Sequence, residues 1–251
     1  MRISQKILAI TCCLAALWGC ARQPEPEVSG DLTEELTEII PEQPTDPAIV
    51  TAAPTMAFTM FANEWVGAAR VDLAAGDMIP PHTAGVRYVY PLTQGTLSVV
   101  DNNTEEIVHL VPGELATWPA GRLSLSNVDE TDCHFLVIER SPVETSPELE
   151  TLAVPDVAVD MERHGTVLLD DDSLMAVDIT LEQNAADPLP VNLPMLVAAL
   201  SPCNLEFQGP EIPNDERVLA EGEAAWQTAG YNVVSNAGDV TSHFVVFGFR
   251  K

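Results

Sequence analysis

Positive charge is scarce in this chain. Its 251 residues include 11 Lys and Arg against 38 Asp and Glu, a formal net charge of −27, and the only lysines are Lys6 and Lys251. That balance argues against nucleic acid or an anionic membrane surface as a partner, since both would repel the folded chain. It fits a solubility role, including in a salty medium that screens self-repulsion, and leaves a cationic partner or divalent-ion buffering open. Bilayer-length apolar runs are missing as well: the run from Ile7 to Trp18 is about a dozen residues, too short to span as a helix. No helical period links the short apolar stretches of the remaining chain. No Gly-rich phosphate loop, nucleophile elbow or H-E-x-x-H motif occurs, which removes the commonest nucleotide, acyl-transfer and metalloprotease signatures.

The N-terminus resembles a bacterial lipoprotein signal. A basic start (Met1–Lys6) and the apolar run end in Leu17-Trp18-Gly19-Cys20, similar to a lipobox, although Trp18 is bulkier than usual there. The resemblance implies residues 1–19 as signal peptide and Cys20 as the lipidated first residue of a mature chain with 9 basic and 38 acidic residues. Several acyl chains on one residue give stable anchoring, and Ala21 in place of Asp permits sorting to an outer membrane. An ordinary secretory signal cleaved nearby is the alternative. Residues 20–56 follow, rich in Pro and acids (Pro24, Pro26, Pro41, Pro44, Pro47), and read as a disordered tether. About 30 such residues have an r.m.s. reach of roughly 30 Å. The expected placement is extracytoplasmic, joined to the membrane only through the lipid.

From Ala57 the texture changes to short apolar runs broken by turn residues. Val66–Leu73, Tyr88–Leu92, Thr96–Val100, Ile107–Leu110, Leu115–Trp118, Arg122–Ser126 and Cys133–Glu139 read as strands. Many short strands without a helical period predict an all-β sandwich or barrel. The chain then repeats itself. Gly113–Asn127 and Gly222–Asn236 match at seven of fifteen positions at an offset of 109, and His134-Phe135 recurs as His243-Phe244. A period near 110 residues is too long for a solenoid and suits a duplicated domain. The predicted organisation is an N-terminal domain over 57–140, a Pro- and acid-rich linker over 141–160, and a C-terminal domain over 161–251.

The turn skeleton is similar to that of the cupins, which implies two tandem double-stranded β-helix (jelly-roll) domains, a bicupin. Gly76-x5-His82 with Gly95 follows the family's first motif, and Gly113, Pro119 and Gly121 follow its second, with Asn127 one residue early. Carried over position by position, the family's metal ligands fall on His82, Ala84, Tyr88 and Ser124, and in the second copy on Pro190, Asn192, Leu196 and Val233. A metal centre needs three or four converging N or O donors. One imidazole does not supply them, so no metal or other cofactor is expected. Tyr88 and Tyr90 alternate on one face of a strand that lines the barrel in cupins, so His82, Tyr88, Tyr90 and Ser124 form a candidate ligand pocket; core packing is the competing reading.

His134 and His243, kept in both copies, read as structural, and Trp118 and Trp226 as core or interface. Asp170-Asp171-Asp172-Ser173 lacks the spacing of a calcium loop and reads as a solvated turn. Cys133 and Cys203 survive signal removal with Cys20; an oxidising compartment permits their pairing, and the sequence does not place them together. The expected function is a metal-free small-molecule binding or structural module, with no catalytic residue assigned. The alternative is a cupin-type isomerase, lyase or dioxygenase with an altered site around His82. Ligand identity and oligomeric state stay open.

Overall fold

The computed structural model describes residues 46–141, 164–190, 192–210 and 212–250. The expected signal peptide, Cys20 and most of the expected tether and linker lie outside them. The first barrel contains β1 (Ala57–Ala62), β2 (Val66–Leu73), β3 (Met78–Ala84), β4 (Arg87–Pro91), β5 (Gly95–Asp101), β6 (Thr104–Leu110), β7 (Ala116–Trp118), β8 (Gly121–Asn127) and β9 (Cys133–Arg140). The second contains β10 (Thr166–Asp170), β11 (Leu174–Leu181), β12 (Ala186–Pro188), β13 (Met195–Ala199), β14 (Cys203–Gln208), β15 (Asp215–Leu219), β16 (Ala224–Gln227), β17 (Val233–Asn236) and β18 (Ser242–Phe249).

In the first barrel a sheet ordered β1-β2-β9-β4-β7 faces one ordered β3-β8-β5-β6. The second repeats this strand for strand, as β10-β11-β18-β13-β16 facing β12-β17-β14-β15. Even the irregularity is copied. The pairing of β1 with β2 shifts register between Thr59 and Phe61, and that of β10 with β11 between Val167 and Leu169, 108 residues on. All pairings are antiparallel.

The two five-stranded sheets pack on each other, which explains why their central strands are apolar on both faces. In β9, Cys133, Phe135 and Val137 enter the first core while Leu136 and Ile138 enter the interface between barrels. In β18, Phe244 and Val246 enter the second core while Val245, Phe247 and Phe249 enter the interface. A one-residue difference in alignment accordingly changes a side chain's destination. Trp118 lies in the first core, edge-on to Phe135 at 6.4 Å, whereas Trp226 stacks between barrels on Phe61, Trp65 and Phe249 at 5.6–6.1 Å.

The N-terminal boundary of the first domain needs correction. The sequence extends the tether through residue 56, but α1 (Ala48–Ala52) folds onto the first barrel and buries Ile49 completely in its core. Burying one such side chain is worth roughly 1.5–3 kcal/mol, enough to order a single helical turn that cannot stand alone. Gly67 makes room for it: a Cβ there would come within 2.8 Å of Pro47 Cγ.

Candidate functional site

The interior of the first barrel is set by a bulge in β3. Its register against β8 slips by one residue between Ile79 and His82, across Pro80-Pro81, which have no backbone N–H to give the ladder. The extra residue turns His82 inward, where it is 9% exposed. Its Nδ1 lies 3.0 Å from the Pro80 carbonyl and therefore carries the proton. Nε2 is left as a buried lone pair with no hydrogen-bond partner. Burial foremost, and then the charge of Arg87, lowers the pKa of His82 in spite of the Pro80 bond, which keeps the ring neutral.

Arg87 is fully buried beside it. Its guanidinium donates to the carbonyls of Pro119 (3.4 Å) and Gly121 (3.0 Å), while its Nε has no partner. Across the ladder stands Glu139, whose carboxylate accepts from the amides of Ala48 (3.1 Å) and Gly85 (3.4 Å). Burial raises the Glu139 pKa against the opposing pull of those amides and of Arg87. Sequence reading missed both residues. Their signal was a charge at an inward position of an otherwise apolar strand, Arg87 before Tyr88–Tyr90 and Glu139 after Phe135–Ile138.

The predicted pocket is not assembled. Tyr88 and Tyr90 sit on the outer face of β4, buried between the barrels. Tyr88 Oη is 2.9 Å from Ser173 Oγ, and Tyr90 Oη donates to Asp178 at 2.6 Å, both in the second barrel. Ser124 lies on the outer face of β8, since Leu123 and Leu125 are the residues that enter the core. Only His82 points inward. Cys133 and Cys203 are both free and buried, one in each core, so the pairing left open does not form.

The residues present do not fit the metal of a conventional cupin centre. The side chains buried with His82 in the first barrel include the Arg87 guanidinium and the apolar Val89, Leu123 and Leu125. A guanidinium cannot ligate a cation and repels one. Among the described residues no group of three or more His, Cys, Asp or Glu side chains is arranged to hold a metal. The second barrel is filled by Met195, Phe207, Phe244 and their neighbours, and its buried Asp187 is occupied by the amides of His164 (2.8 Å) and Gly165 (3.2 Å).

Open space occurs instead where the barrels meet. A cleft of about 510 Å³ is lined by Thr83–Val86, Tyr88, Glu139, Arg140 and Ser173. A second, of about 360 Å³, opens among Arg70, Tyr90, Leu92, His134, Leu200 and His243. His134 and His243, read as structural, each bond a carboxylate there: His134 Nδ1 to Asp72 at 2.6 Å, and His243 Nε2 to Asp178 at 2.8 Å. The acidic run at Asp170 is a turn in which Asp171 Oδ1 accepts from Ser173 N and Leu174 N.

No family model and no curated protein matches the sequence. Solved structures do resemble the fold. A Bacillus subtilis oxalate decarboxylase structure concerned with its Mn(II) centres aligns at 12% identity, covering 77% of this chain and 75% of that one, with a TM-score of 0.57. The two-barrel cupin fold is shared. A second oxalate decarboxylase structure, concerned with substrate binding mode and a switch of reaction specificity, aligns with a TM-score of 0.56 at 12% identity over 81% of this chain and 72% of its own. A cupin 2 conserved barrel protein from Leptotrichia buccalis covers 83% of this chain and 98% of its own at 12% identity and a TM-score of 0.46. Identities this low carry the fold and nothing of the chemistry.

Proposed function

We propose that this chain is a metal-free bicupin serving as a small-molecule binding module, held at the cell envelope by lipid on Cys20. The observation that carries this is Arg87: a fully buried cation acts on the lone inward imidazole of His82, and no metal-ligating group of three joins them among the described residues. Both barrels are otherwise packed with apolar side chains, so ligand access falls to the clefts between them. The larger cleft combines a mostly apolar surface with polar side chains at Thr83, Tyr88, Glu139, Arg140, Ser141 and Ser173, and small-molecule sites likewise pair apolar walls with placed polar groups. An enzyme built around His82 is the weaker reading, because His82 lines neither cleft. The lipobox resemblance supports the membrane attachment, and the acidic balance supports a partner other than nucleic acid.

Metal analysis of protein purified without chelator tests the central claim. Less than about a tenth of an equivalent of iron, manganese, nickel or zinc is expected, because a lone imidazole beside a guanidinium binds such ions poorly. A near-stoichiometric content that disappears in His82→Ala would overturn it.

A further inference from the structure

The smaller cleft is built from one surface used twice. His134 and His243, Leu92 and Leu200, and Pro91 and Ala199 are equivalent positions of the two copies and line it from opposite sides. Between the copies the charges have diverged: Arg70 stands where the second barrel has Asp178, and Pro112 where it has Glu221. The cleft therefore has unlike lips in spite of its repeated frame.

The donor and acceptor inventory is specific. Asp72 accepts from His134 Nδ1 and Asp178 from His243 Nε2, so those two nitrogens carry protons. The other nitrogen of each ring, His134 Nε2 and His243 Nδ1, is left for a ligand. Arg70 commits only Nε to Asp72 (3.0 Å), and its Nη1 reaches toward Gly222 at the far lip, 3.9 Å from where a Cβ would stand. Glu221 adds a carboxylate. The site thus offers one forked cationic donor, two imidazole acceptors and one anion, around an apolar patch of Leu92, Leu136 and Leu200.

We propose that this cleft binds a small zwitterion of the α-amino-acid class. The carboxylate pairs with Arg70, the ammonium donates to the imidazole lone pairs and to Glu221, and an aliphatic side chain covers the leucines. This site is distinct from the larger cleft, and it does not depend on the metal content of the first barrel. The net charge of −27 does not forbid a ligand carboxylate, because charges beyond about 8 Å are screened at physiological ionic strength and the local donors decide.

The test compares three isosteric probes on the full chain at 0.15 M salt: L-leucine, 4-methylpentanoate (no amine) and isoamylamine (no carboxylate). L-leucine should saturate and shift the ring-proton NMR signals of both His134 and His243, with each truncated probe at least tenfold weaker. Arg70→Gln should weaken L-leucine at least tenfold while leaving isoamylamine unchanged. Equal affinity for the three probes, or no movement of either histidine signal with 20 mM L-leucine, would overturn the proposal. The comparison on the native chain decides even if the Arg70 variant fails to fold.

Discussion

Individual residues kept by both copies hold turns together. Asn127 Nδ2 donates to the carbonyls of Leu73, Ala74 and Thr131 at 2.8–3.1 Å, while its Oδ1 accepts from Asp129 N. Asn236 repeats this with Leu181, Val240 and Gly238. The closing Asn of the repeated stretch therefore survives because it satisfies buried backbone groups, each costly to leave unpaired. A second pair of positions has diverged together. A Cβ on Gly95 would meet Cys133 Sγ at 2.6 Å; in the second barrel the equivalent residues are Cys203 and Ser242, which also touch. Each barrel keeps one small partner per contact. Burial pushes the Cys133 thiol up to about 11 and raises that of Cys203, so both act as packing groups rather than nucleophiles. Gly95→Cys alone should destabilise by about 1–3 kcal/mol through overpacking. Adding Cys133→Ser should recover about 1 kcal/mol or more in a double-mutant cycle by urea denaturation. Strictly additive costs would show that the two sites do not share this contact.

Among the elements, strands made of short apolar runs were legible: β2 falls at the boundaries its apolar pattern predicts. β3 and β12 were not, because Pro80-Pro81 and Pro188 read as breakers while the structure uses them at a bulge and a strand end. The same bulge explains part of the misread pocket. Period two correctly puts Tyr88 and Tyr90 on one face of β4, but which face is inward depends on the neighbouring sheet, and no local signal reveals the second barrel that covers them. Nor was α1 visible, since the six residues between Pro47 and Pro54 look like tether until Ile49 is seen to fill the first core. Ile49→Ala should cost about 2–5 kcal/mol by chemical denaturation. A change within about 0.5 kcal/mol would mean that α1 adds nothing to the barrel.

At the scale of the whole molecule, two five-stranded sheets bury their outer faces in each other, so the interface is a third core and not a linker-tethered contact. One of its polar ties is Tyr90 Oη donating to Asp178, which also accepts from His243. Burial, then the Asp178 bond and charge, raises the Tyr90 pKa well above its ordinary value of 10.0. Burial would raise Asp178, but the bonds from His243 and Tyr90 outweigh it and hold its pKa below 3.8. A raised phenol contributes stability that is complete below pH 10 and lost as pH climbs toward its folded value. A depressed carboxylate contributes stability that is present above pH 3.8 and lost as pH falls further. The tie is therefore strongest across the broad range between. Tyr90→Phe removes one donor from a half-buried carboxylate, and with partial solvent screening should cost about 1–2 kcal/mol at pH 7. The difference between native chain and variant should hold steady from pH 5 to 9 and shrink above pH 10, where Tyr90 ionises in the unfolded native chain while its folded form still holds the proton, and the variant has no phenol to ionise. Urea melts at those pH values, with 295 nm absorbance to follow tyrosinate, measure it. An equal cost at pH 7 and pH 11 would show that Tyr90 acts through its ring packing and not through the bond that joins the barrels.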